Sequence, residues 1–154
     1  MSINYVLYLA GPWSPHEAIR ELTRGLPAPE GASSSKGRGA ETIAFPHLWV
    51  VATVPTFPTN RYTEEEHGFL PRLRLQVRLD TKDLSLAQDE LLELVRRVLL
   101  GSREELVLLR EEENVALLRR GGRLELHDDA LWASAERRAR AEQWLRDVPL
   151  LRGS

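Results

Sequence analysis

The chain of 154 residues is long enough for one domain with its own apolar core. It carries 21 basic and 23 acidic residues, a net charge of −2 that excludes the basic excess expected of a nucleic-acid or membrane-surface binder. Cysteine is absent, which excludes disulfides, thiolate chemistry and cysteine metal sites.

"NYVLYLA" (4–10) reads as a first strand that Gly11 and Pro12 close. Ser14, Pro15 and Glu17 then form an S-x-x-E capping box with proline at the first helical position. Ile19, Leu22 and Leu26 share a stripe, so a helix is predicted over 15–26. The glycine- and serine-rich segment 27–39 reads as a flexible linker. Pro46 divides the β-branched stretch 41–55 into a short and a longer strand. Residues 56–69 read as a second long loop.

"RLRLQVRLD" (72–80) alternates strictly, with Leu73, Leu75, Val77 and Leu79 on a dry face and Arg72, Arg74, Gln76 and Arg78 on a wet one. Residues 83–101 form an amphipathic helix with Leu91, Leu94, Val95 and Val98 inward. Ser85 and Gln88 are a candidate capping box, and Gly101 is the stop. Three strands follow over 105–110, 114–120 and 123–128, the last two joined through Gly121–Gly122. Residues 130–146 read as a helix with a weak stripe that belongs on the surface. The expected fold is α+β: a mostly antiparallel sheet of five to six strands, two helices on one face, and a C-terminal surface helix. It forms a single domain over 1–154 with loops at 27–39 and 56–69.

Chemistry is sparse. There is no nucleophile elbow, and "GASSSKG" lacks the phosphate-loop order. His16, His47, His67 and His127 lie in four segments without metal-ligand spacing, so no metal or cofactor is expected. His127, Asp128 and Asp129 sit where a strand meets a helix, the place for a capping carboxylate. The same three residues are the alternative reading, a small enzyme or ligand-binding domain with a pocket at the sheet edge. Arg72, Arg74 and Arg78 would meet Glu125 and His127 across a self-neutralised wet face if their strands are neighbours. Without interleaved aromatics on that strand, nucleic acid is not expected. An exposed Trp49 or Trp132 would favour a protein interface.

The run "LRLQVRLD", "LLELVRRVLL" and "ELVLLREEENVALLRRGGRLELHDDALW" resembles the third-type immunity proteins of the swarm-inhibition (Sit) toxin systems of social bacteria. Arg78–Leu79–Asp80, Leu91–Leu100 and Arg120–Trp132 carry the likeness, with the opening strand and helix of "INYVLYLAGPWSPHEAI". The resemblance implies a non-enzymatic cytoplasmic antidote that binds the C-terminal domain of a cognate toxin. The candidate contact residues are Glu64, Glu65 and Glu66; Glu111, Glu112 and Glu113; and Asp128, Asp129 and Trp132. Acidic clusters of this kind suit a basic partner surface. A further expectation is that the three clusters form one continuous patch.

Overall fold

A computed structural model describes residues 3–24, 33–35 and 40–147. The fold is α+β and its sheet is antiparallel throughout, in the order β2-β3-β4-β5-β1-β6-β7-β8. The strands are β1 (Ile3–Leu9), β2 (Ser33–Ser35), β3 (Ala40–Ala44), β4 (Leu48–Thr53), β5 (Leu73–Leu79), β6 (Leu106–Arg110), β7 (Asn114–Arg120) and β8 (Arg123–Leu126). Seven of them fall in segments read as strands, with ends shifted by a residue or two, so the sheet exceeds the expected five to six strands. The eighth, β2, is a three-residue piece inside the segment read as a linker, most of which lies outside the described residues.

The helices are α1 (Pro15–Thr23), α2 (Thr59–His67), α3 (Leu84–Gly101) and α4 (Ala135–Asp147). The predicted capping box is present: Glu17 N–H donates to Ser14 Oγ at 3.2 Å and Ser14 N–H donates to the Glu17 carboxylate at 3.1 Å. The one proposed at Ser85 and Gln88 is not. Helix α3 begins a residue earlier than Ser85, behind a 3₁₀ turn (Thr81–Asp83) that Asp80 caps through Lys82 N–H at 2.9 Å. Gln88 is drawn into the core instead. Gly101 is the last helical residue, and a Cβ there would stand 2.9 Å from the Trp13 ring. Close helix-to-ring packing is therefore a second reason for glycine at this stop.

The alternation read in β5 holds. Leu73, Leu75, Val77 and Leu79 are buried with Tyr5, Leu7 and Leu9 of β1 beneath α1, α3 and α4. Helix α4 contributes Ala141 and Trp144 to this core, and Trp144 meets Trp132 edge-on with ring centroids 6.1 Å apart. Three helices thus cover this face, against the expected two plus a surface helix. Helix α4 lacks a broad stripe because one alanine and one tryptophan suffice to dock it.

The opposite face holds a smaller cluster of Val6, Tyr8, Phe69, Val107, Leu109 and Leu118. Phe69 comes from the β4–β5 connection, which contains α2 where the sequence predicts a loop over 56–69. Only Thr63 of α2 is buried, so the helix has no apolar stripe for periodicity to reveal. Among the described residues no helix is long and apolar enough to cross a membrane.

Candidate interaction surface

The strand-to-helix junction closes on itself. Asp129 accepts from Tyr5 Oη at 2.6 Å, Arg110 Nε at 2.7 Å and Leu131 N–H at 2.9 Å, and its side chain is 0% exposed. It is the N-cap of a 3₁₀ turn (Ala130–Trp132). Burial, then the bond to the Asp129 carboxylate, pushes the Tyr5 hydroxyl well above its usual range, so it stays protonated as a donor. The bond to Asp129 raises Arg110 further. Trp132 is 3% exposed and its Nε1–H donates to Ala116 O at 3.0 Å. As folded, the side chains of Asp129 and Trp132 are buried away from any partner, and both hold the last segment to the sheet.

Asp128 remains exposed, and His127 stands 3.5 Å from Glu125 on the open side of β8. No group of three or more histidine, aspartate or glutamate side chains is arranged to hold a metal among the described residues. An open depression of about 260 Å³ lies at the β3–β4 turn, lined by Phe45, His47, Trp49, Arg78 and Asp80 among others. Of the pocket candidates His127, Asp128, His47 and His67, it takes in His47 alone.

The acidic clusters do not form one patch. The β6–β7 turn sits where β1 starts: Glu111 N–H donates to Asn4 O, and the Glu111 carboxylate accepts from Asn4 N–H, both at 2.9 Å. Glu111 and Glu112 have φ of 53° and 62°, which suits a tight turn between twisted strands but is uncommon without glycine or asparagine. The contact to Asn4 and a Glu112–Arg74 ion pair fix the turn. Strand β8 also ends on this side, bringing Asp128 to the same end of the sheet. Helix α2 belongs to the other end. The segment after it joins β1 at its finish, with Arg72 N–H on Leu9 O at 2.9 Å, and Arg120 reaches His67 O at 3.5 Å. The length of β1, roughly 20 Å at about 3.3 Å per residue, separates Glu64–Glu66 from Glu111–Glu113.

The arginines of β5 do not meet Glu125 and His127, because β1, β6 and β7 lie between β5 and β8. Arg74 is instead held by Glu112, Gln76 and Tyr8. Arg78 has no ion pair among the described residues. It lies over the ring of Trp49 at 5.8 Å from the centroid, and Trp49 is 44% exposed. Register aligns Asn4, Arg78, Trp49 and Ala44 across β1, β5, β4 and β3 on the face that carries Tyr8 and Phe69.

Helix α2 is largely exposed, with Thr63 its one buried residue. Tyr62 is 61% exposed, and Phe57, just ahead of the first turn, is 76% exposed. Arg61, Glu64, Glu65 and Glu66 are exposed as well. The glutamates crowd the C-terminal turn, where the helix dipole disfavours negative charge. The one basic neighbour in that turn is His67, whose pKa burial lowers, with Glu66 opposing that shift and Arg120 adding to it. Gly68 closes the helix at φ 84°, donating its N–H to Glu64 O at 3.0 Å. Phe57 and Tyr62 were not among the sequence candidates. The available signal was two aromatics in a polar, proline-flanked stretch with no apolar partners at helical spacing.

Compared with known proteins, residues 3–137 match the family model described as SitI3-like. No curated protein and no solved structure matches the chain. The match begins at the first residue of β1, takes in the whole sheet and the junction at Asp129, and ends in the first turn of α4. The chain belongs to the SitI3-like family.

Proposed function

We propose that this protein is an immunity protein that neutralises a cognate bacterial toxin by binding its C-terminal domain directly, inside the cytoplasm and without catalysis. The observation that carries the reading is the family match over residues 3–137. The surface agrees with a binding role. Exposed acidic groups at both ends of the sheet, Glu64–Glu66 at one and Glu113 with Asp128 at the other, suit a basic partner. Glu111 and Glu112 contribute through the shape of their turn, while Asp129 and Trp132 hold the scaffold beneath.

The test is protection in a sensitive host. The C-terminal domain encoded by the large open reading frame beside this gene is expressed with and without this protein, and survivors are counted. Killing that this protein alone relieves, together with a stable co-purified complex, is the expected result. A toxic domain that still kills and does not co-purify removes the pairing.

A further inference from the structure

We infer that Val54–Leu70, the part of the β4–β5 connection centred on α2, is the segment that docks on the toxin, and that the toxin surface it fits is basic with an apolar recess. This rests on the immunity reading above. Four of the seven large apolar side chains exposed among the described residues lie in this one connection: Val54, Phe57, Tyr62 and Leu70. Large aromatics left in water by a fold that buries Trp13, Trp132 and Trp144 are the residue type that dominates protein interfaces.

Charge identifies the occupant. Of the chain's 21 basic and 23 acidic residues, helix α2 holds Arg61 and Glu64, Glu65 and Glu66. Its −2 therefore equals the net charge of the whole chain, and the rest balances at 20 of each sign. Among the described residues neither Glu64 nor Glu65 has an ion pair, and Glu66 has only His67, at 3.9 Å. The helix places these charges against its own dipole with Tyr62 beside them, an arrangement with no intramolecular benefit. A cationic partner surface supplies the missing counter-charge, and an apolar recess takes Phe57 and Tyr62. Only Thr63 of α2 is buried, so these side chains can be changed without opening the core.

The experiment uses the full chain and the purified C-terminal domain of the adjacent open reading frame's product. Binding is measured for the wild type, for a Phe57→Ala/Tyr62→Ala double variant, for a Glu64→Lys/Glu65→Lys double variant and for Trp49→Ala. The aromatic variant is expected to lose affinity by more than about tenfold. The charge reversal is expected to slow association by about tenfold or more at low salt, an effect that added salt erases. Trp49→Ala is expected to bind as the wild type does, and all variants to melt within a few degrees of it. Wild-type binding with both α2 variants unimpaired overturns the docking segment and leaves the immunity reading standing. So does a loss confined to Trp49→Ala, or an α2-dependent dimer of the free protein that the toxin does not disrupt. No binding by the wild type overturns both.

Discussion

Tyr5, in the first strand, donates its hydroxyl to Asp129 at 2.6 Å, across 124 residues of sequence. Arg110 of β6 reaches the same carboxylate, so three separate parts of the chain meet at one buried group. This is why the His127–Asp129 stretch, which reads in sequence as a capping junction with a site as the alternative, acts as a clasp. All the polar capacity used at Asp129 goes to the fold.

Asp129→Ala is therefore expected to destabilise the protein by about 2–4 kcal/mol, since it removes a buried charge and leaves the Tyr5 hydroxyl without its acceptor. Tyr5→Phe should cost less, about 1–2 kcal/mol, and the two losses should not add. Urea unfolding of both single variants and the double one gives the coupling. Strict additivity would mean that the hydroxyl and carboxylate do not work as a pair.

Arg119 is a buried cation with no carboxylate at ion-pair distance among the described residues. Its Nε and Nη1 donate to Glu104 O at 2.8 Å and Leu99 O at 3.0 Å, closing the C-terminal end of α3. Desolvation pushes its pKa down to about 10, which leaves it charged at neutral pH. Lysine keeps the charge but cannot span two carbonyls, whereas methionine removes the desolvation cost with the bonds. Arg119→Lys is expected to cost about 1.5–3 kcal/mol and Arg119→Met less. A lysine variant as stable as the wild type would show that the fork geometry is unimportant.

What sequence reading captured is what short-range chemistry determines. Ser14 and Glu17 are three residues apart and make their box without help from the fold. Leu73 to Leu79 alternate because the sheet beneath them has one dry face. Helix α2 escaped notice because its burial rests on Thr63 alone, with Phe69 outside the helix as the apolar tether. The meeting of Arg72, Arg74 and Arg78 with Glu125 failed on strand order, which is set by β1 entering the middle of the sheet. The burial of Trp132 and Asp129, both candidate contact residues, is not legible in the sequence because the groups that bury them, Ala116, Tyr5 and Arg110, come from distant strands.

The four tryptophans give a direct reading of the open face. Trp13, Trp132 and Trp144 are buried, and Trp49 is exposed beside Arg78. Iodide should quench one component of the fluorescence, and Trp49→Phe should abolish that component while changing stability by less than about 1 kcal/mol. Quenching that persists in Trp49→Phe would place another indole in water. Toxin binding at α2 should leave the Trp49 component quenchable.

His67 makes the attachment of α2 sensitive to acid. Burial lowers its pKa below the ordinary 6.5, the nearby Arg120 charge adds to this, and Glu66 at 3.9 Å pulls the other way. The unfolded chain thus takes up its proton first as pH falls. The stabilisation from burying a neutral imidazole is complete above about pH 6.5, is lost as pH falls through the lowered folded pKa, and levels off once both states are protonated. Urea midpoints between about pH 8 and about pH 5 should fall more steeply for the wild type than for His67→Gln. Parallel curves would mean that the imidazole titrates alike in both states. Because His67 sits within the proposed docking segment, the same acidification should weaken toxin binding in the wild type and leave His67→Gln less affected.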